Sequence, residues 1–212
     1  MHIPDGFLDV KVWAPLAVIS GAAVAYSAKK ISTSNDEMRV PLTGISAAFV
    51  FAAQMLNFPV AGGTSGHFMG AFLVGILLGP FSAIIVLSSV LIVQCFLFQD
   101  GGFTALGANI FNMGLMGILP LLFIKTVKSQ SVGSEMSINT VGLFIGAWVS
   151  IVFASIACSI ELWLSGTIDL KQVLIAMVGI HSLIGIGEAL VTVTVIKAIA
   201  HARIDLLNME KI

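Results

Sequence analysis

Long apolar runs separated by short polar intervals organise the whole chain, at about residues 8–28, 40–57, 67–99, 106–124, 138–164 and 172–198. A membrane-spanning helix needs about 20 apolar residues, so five of these runs fit one crossing each. The run HFMGAFLVGILLGPFSAIIVLSSVLIVQCFLFQ is the exception. As a single helix it would extend about 50 Å, against a hydrocarbon core of about 30 Å. Gly79-Pro80 lies in its middle, where proline removes a helical hydrogen bond and glycine permits a turn. The pattern therefore predicts a break there, with a short span before it and a full one after it, making seven crossings.

Composition agrees with this reading. The chain is 58% hydrophobic and only 10% charged, with mean hydropathy +1.05, where a globular protein has about 25% charged residues. The expected fold class is all-α: an integral membrane bundle of about seven transmembrane helices, one domain over residues 1–212. Charge placement supports the seven-span count. With the N-terminus outside, Lys29, Lys30, Arg39, Lys125, Lys128, Lys197, Arg203 and Lys211 fall in the cytoplasm and only Lys11 and Lys171 outside, eight against two. Six spans would give at best six against four, so the positive-inside bias favours seven, an external N-terminus and a cytoplasmic C-terminus. KKISTSNDEMR and KTVKSQSVGSEMS then read as cytoplasmic loops.

The net charge of −1 leaves no basic footprint for nucleic acid. Cys95 and Cys158 lie in apolar runs, form no CxxC pair and read as small buried hydrophobes. Ala23-Val24-Ala25 resembles a signal-cleavage site, but Asp5 and Asp9 stand where a signal peptide carries positive charge, so the N-terminus is expected to be retained.

The candidate chemistry lies at that terminus, in MHIPDGFL. The Met1 amine, the His2 amide nitrogen and the His2 ring Nδ1 can close fused five- and six-membered chelate rings around one metal ion. An amide nitrogen binds only when deprotonated, which calls for a strong Lewis acid such as Ni(II) or Cu(II) and favours a square-planar site. The fourth corner needs another nitrogen. His67 closes the glycine-rich loop NFPVAGGTSGH, predicted to lie on the same external side. Pro4-Asp5-Gly6 suits a turn that folds the terminus back over the bundle toward His67.

Other polar residues stand in apolar surroundings. Asn57, Thr64 and Ser65 in the glycine-rich loop, with Gln94, Asn109, His181 and Glu188, could support metal ligands by hydrogen bonding or simply pair across the bundle, as could Gln54 and Asn112. His181 and Glu188 are seven residues apart and share a helix face; ionisable groups at membrane depth point to function. Glu161 is expected near the external interface. Ala17, Gly21 and Ala25, like Gly142 and Gly146, form small-residue steps where helices approach closely, within the protein or against a partner. No P-loop, GxGxxG or HExxH occurs, so the chain is expected to bind no nucleotide and catalyse no reaction, and any energised transport needs a separate motor.

The blocks MHIPDGFL, NFPVAGGTSGHFMGA, LFQDGGFTALGANIFNMG and GIGEAL, in this order across essentially the whole chain, resemble the CbiM/NikM family. Its members are the substrate-capture membrane components of energy-coupling factor importers for cobalt and nickel. The resemblance implies a metal held by the Met1 amine, the His2 amide and ring nitrogens, and the His67 ring. It also implies a transmembrane coupling protein, a cytoplasmic ATPase pair, often a small accessory membrane subunit, and a bacterial or archaeal plasma membrane. Ala17, Gly21 and Ala25 become a candidate contact face for the coupling protein. Ni(II) is favoured over Co(II) as the transported ion because planar nitrogen ligation suits it. Two other classes compete: a self-sufficient divalent-cation carrier or channel, and an intramembrane serine protease built on Ser65 and His181.

Overall fold

A computed structural model describes residues 1–32, 39–60, 64–123, 127–128, 137–203 and 207. Gly62, Gly63, Lys125, Lys211 and most of the two expected cytoplasmic loops lie outside the described residues. The chain forms helices α1 (Val10–Ser32), α2 (Arg39–Gln54), α3 (Ala71–Leu78), α4 (Pro80–Val93), α5 (Leu106–Ile110), α6 (Thr140–Leu164) and α7 (Leu170–Ala202). A π-turn, Gln94–Phe98, prolongs α4. Another, Phe111–Met116, followed by a 3-10 turn Leu119–Leu122, prolongs α5. The expected helical bundle is present.

Among the described residues, four helices are long and apolar enough to cross a membrane: Val10–Ser32, Pro80–Phe98, Thr140–Leu164 and Leu170–Ala202. Val40–Gln54 and Leu106–Leu122 are shorter apolar helices. The break at Gly79-Pro80 falls where the sequence places it: Gly79 has φ +85° and ends α3, and Pro80 opens α4. The segment before the break is not a crossing in itself. At eight residues, α3 is about 12 Å long. Seven of its residues are buried, including Phe72, Leu73 and Ile76, so its all-round apolarity reflects burial inside the bundle rather than lipid contact.

The other departure from a purely helical reading is a hairpin. Strands β1 (Asn57–Val60) and β2 (Thr64–His67) pair antiparallel, with Asn57 opposite His67 and Val60 opposite Thr64. Asn57 thus leaves the second helical run, which ends at Gln54. A second short pair joins β3 (Val127–Lys128) to β4 (Ser137–Ile138). A Cβ on Gly66 would stand 2.7 Å from Ile184 Cδ1 and 3.3 Å from Ile180 Cγ2, so glycine lets β2 lie close on α7.

The small-residue steps are used mainly inside the protein. Gly146 faces the Phe72 ring, and Gly107 meets the Ala17 backbone. Ser20 Oγ on α1 donates to the Gly107 carbonyl at 2.7 Å. Ala17 is therefore half-buried against α5, whereas Gly21 and Ala25 are exposed. The expected three-residue partner face reduces to those two.

Candidate metal site

The first seven residues form a strap pinned across one end of the bundle. Asn109 Oδ1 accepts from the Ile3 amide at 2.8 Å, and the Ile3 carbonyl accepts from Asn109 Nδ2 at 3.2 Å and from the Gly102 amide at 2.9 Å. The Asp5 carboxylate accepts from the Phe103 amide at 3.0 Å, the Thr104 amide at 2.7 Å and the Thr104 hydroxyl. Those bonds, the Thr104 hydroxyl first, hold the exposed Asp5 carboxyl below the usual carboxylate range. Thr167 Oγ1 donates to the Phe7 carbonyl. Gly6, at φ +84°, makes the turn that Pro4-Asp5-Gly6 predicts.

The strap drives the terminus inward. Met1 and Ile3 are fully buried, His2 is 3% exposed and His67 is 1% exposed. The Met1 amine lies 2.8 Å from His67 Nε2 and donates to the Ser65 carbonyl, with Ser65 Oγ at 3.4 Å. The His2 and His67 rings stack with centroids 4.5 Å apart and planes 26° apart. The His2 amide donates to Ser65 Oγ at 3.3 Å.

Hydrogen bonds on the outer ring nitrogens fix both tautomers. His67 Nδ1 lies 2.7 Å from the Phe68 carbonyl, and His2 Nε2 lies 3.0 Å from Gln94 Oε1. Both partners only accept, so those nitrogens carry the protons. That leaves a lone pair on His67 Nε2 toward the Met1 amine, and one on His2 Nδ1 with Asp100 Oδ1 at 3.3 Å and Ser65 Oγ at 3.5 Å. Burial is the main cause that lowers the basicity of all three groups: the amine falls to about 5, the His2 ring to about 3, and His67 well below its ordinary value. The 3.3 Å contact between His2 Nδ1 and Asp100 Oδ1 therefore involves a neutral ring and is not an ion pair. The Met1 amine and His67 Nε2 meet here, and the amide and ring of the adjacent His2 offer two further nitrogens, the amide once its proton leaves. No group of three His, Cys, Asp or Glu side chains that could hold a metal occurs among the described residues.

The remaining sequence candidates divide. Ser65, Gln94 and Asn109 touch the strap or its ligands directly. Asn57 reaches the site indirectly, hydrogen-bonding the Asp100 carboxyl, whose acidity is weakened chiefly by burial. Thr64 donates to Met177 Sδ at 2.9 Å, and His181 Nδ1 lies 2.7 Å from the Met177 carbonyl. Glu188 accepts from the Met69 amide at 2.8 Å and the Gly70 amide at 2.9 Å, fixing the backbone just after His67 and the start of α3. Glu161, expected near the interface, is instead buried and accepts from Asn112 Nδ2 at 2.7 Å. Gln54 Nε2 donates to the Met69 carbonyl at 3.0 Å. Ser65 Oγ lies toward the terminus, at 3.4 Å from the Met1 amine and 3.3 Å from the His2 amide, whereas the His181 ring is engaged by the Met177 carbonyl and the Ser65 backbone; no hydrogen bond between the Ser65 hydroxyl and His181 occurs among the described residues.

Sequence reasoning passed over Asp100 and the Phe68 carbonyl. Asp100 was open to notice as the lone acid in the loop QDGGFTALGAN; a backbone carbonyl carries no sequence signal.

Comparison with known proteins gives the site its context. Residues 2–206 match the family described as the cobalt uptake substrate-specific transmembrane region, CbiM. A chain of Archaeoglobus fulgidus, named as a fused nickel transport protein NikMN, is 38% identical over 99% of this chain and 69% of its own. The cobalt transport protein CbiM 1 of Pelobacter propionicus is 40% identical over 55% of this chain and 53% of its own. A crystal structure of a transition metal transporter superposes with TM-score 0.83 at 32% identity, covering 99% of this chain and 96% of that one. These relatives are metal transport proteins, not enzymes. The chain belongs to the CbiM family and is a nickel/cobalt transport component, a multi-pass protein of the plasma membrane.

Proposed function

We propose that this chain is the substrate-capture component of an energy-coupling factor importer, taking Ni(II) or Co(II) outside the cell into a planar nitrogen site. The ligands are the Met1 amine, the His2 amide nitrogen, His2 Nδ1 and His67 Nε2. The observation that carries this reading is the 2.8 Å separation of the Met1 amine and His67 Nε2. That is the edge of a square whose corners each lie about 2.0 Å from a central ion, an ordinary metal–nitrogen distance. The fixed tautomers support it, because each histidine offers a lone pair at the nitrogen the square needs.

Selectivity follows from donor type and shape. Mg(II) and Ca(II) require oxygen donors in larger shells, and Zn(II) prefers a tetrahedron. Cu(II) suits such a site by affinity order, so its exclusion rests on availability. Planar amide ligation favours nickel over cobalt. The chain has no nucleotide motif, so inward release needs a transmembrane coupling protein driven by a cytoplasmic ATPase pair, with a small accessory membrane subunit as a further candidate partner. Gly21 and Ala25 on α1 are the exposed remnant of the proposed coupling face.

The test is metal content and absorption of purified protein with its native terminus, beside a variant with one alanine inserted between Met1 and His2. Mass spectrometry establishes that Met1 is retained. One Ni(II) or Co(II) per chain with a planar-site spectrum, lost or reshaped by the insertion, is the expected result. Equal binding by both proteins removes the amine from the ligand set.

A further inference from the structure

We propose that Asp100 is the landing ligand of the site: its partly exposed carboxylate first takes the hydrated divalent ion and passes it inward through His2 Nδ1. The proposal rests on the nitrogen-site reading above.

Accessibility is the first argument. The Met1 amine belongs to a residue with no exposed surface, and His67 is 1% exposed. The His2 side chain is 2% exposed, while the Asp100 side chain is 20% exposed. An ion arriving from water can reach Asp100 while the nitrogens behind it are still covered by protein. Asp5, on the same loop-facing surface, is not equivalent, because its oxygens already accept from Phe103 and Thr104.

Geometry is the second. Asp100 Oδ1 lies 3.3 Å from His2 Nδ1. His2 Nε2 holds the ring proton against Gln94 Oε1. Nδ1 therefore presents a lone pair to a carboxylate oxygen, two acceptors with no proton between them, an arrangement that favours a cation placed between. An ion about 2.1 Å from each atom spans that gap with an ordinary ligand angle.

Preorganisation is the third. Asp100 stands between Gln99 at φ +54° and Gly101 at φ +91°. Its amide donates to the Gln94 carbonyl at 3.1 Å, and its carboxyl is hydrogen-bonded by the Asn57 side chain. A left-handed residue on either side of this one acid holds the carboxylate at the opening. Gln94 thus contributes its side chain to the His2 ring and its carbonyl to the Asp100 amide, binding the outer oxygen and inner nitrogen into one unit.

The sequence of events is ligand exchange. The carboxylate replaces one or more waters on the ion, Nδ1 replaces another, and the ion then moves to the amine and His67 as the carboxylate lets go. A hard oxygen ligand suits arrival, because it exchanges with water readily; the nitrogen cage suits retention.

The experiment uses the purified full chain with its native terminus, mixed with Ni(II) or Co(II) chloride. Metal retained after rapid gel filtration gives the association rate, and the absorption spectrum independently reports the ligand set. For Asp100→Asn we expect association and dissociation both slower by about tenfold, because a ligand used only in passage lowers the barrier equally in the two directions, with affinity, final stoichiometry and spectrum unchanged. Asp100→Glu restores most of the rate. An unchanged association rate overturns the proposal. So does a changed spectrum or faster dissociation, which makes Asp100 a resting ligand or a structural prop. A wild-type protein lacking the planar spectrum refutes the nitrogen site, while the rate comparison still decides the role of Asp100.

Discussion

In the proposed site, Gln94 is an uncharged side chain on which the His2 tautomer depends. It is fully buried, and its Oε1 accepts a hydrogen bond from His2 Nε2. Without it the ring is free to carry its proton on Nδ1, the nitrogen a metal needs. Outer partners of this kind are worth about 10–100-fold in metal affinity. Gln94→Leu is therefore expected to weaken Ni(II) binding by that factor in a folded protein, measured by competition with a chromophoric chelator; unchanged affinity would remove Gln94 from the site. Asp5 gives a pH dependence. Its folded-state pKa lies below its unfolded value, so it contributes stability above the unfolded value, lost as pH falls through the folded one. Asp5→Asn should lower the midpoint of thermal unfolding at pH 7, and the gap from wild type should close as pH drops below about 4. A gap that is constant with pH would show that the charge is not what matters.

At the level of elements, α3 and the strap are held by contacts from distant parts of the chain. The Glu188 carboxylate receives two backbone amides at the start of α3, directly after His67 and Phe68. Glu188→Leu leaves two buried donors without an acceptor, at about 1–3 kcal/mol each. Marked destabilisation in a thermal melt is expected, and full stability would contradict the role assigned to this carboxylate. Gly102 packs so closely under the strap that a Cβ there would drive into the Asp5 amide and the Pro4 carbonyl carbon. Gly102→Ala should displace the strap and abolish metal binding while α6 and α7, which pack along each other, keep the helical circular dichroism. Native metal affinity in that variant would show that the strap tolerates movement.

For the whole molecule, the question is whether this chain moves metal by itself. Purified protein in liposomes is expected to bind Ni(II) or Co(II) but to give no flux across the bilayer without its partners. Sustained flux from the chain alone would establish a carrier instead. The helical runs, the break at Gly79-Pro80 and the terminal MHIPDGFL turn were legible in the sequence, because apolar periodicity, proline and glycine act locally. Less legible were the hairpin at 57–67 and the shortness of α3. Both depend on what covers those residues: α3 looks like a span only until its burial by neighbouring helices is known.

Local chemistry determined that this protein is a membrane helical bundle and that Met1, His2 and His67 are its candidate ligands, because span length and donor atoms are properties of short stretches. Tertiary structure alone decided which polar side chains serve that site. It brought Gln94, Asn109, Asp100 and Ser65 onto the strap from helical turns, a loop and a strand as many as 106 residues away. It also sent Glu188 and Glu161 to other partners and set the His181 ring between the Met177 carbonyl and the Ser65 backbone. The reason is physical: a buried polar group must find a partner, and which partner it finds is fixed only when the helices have packed.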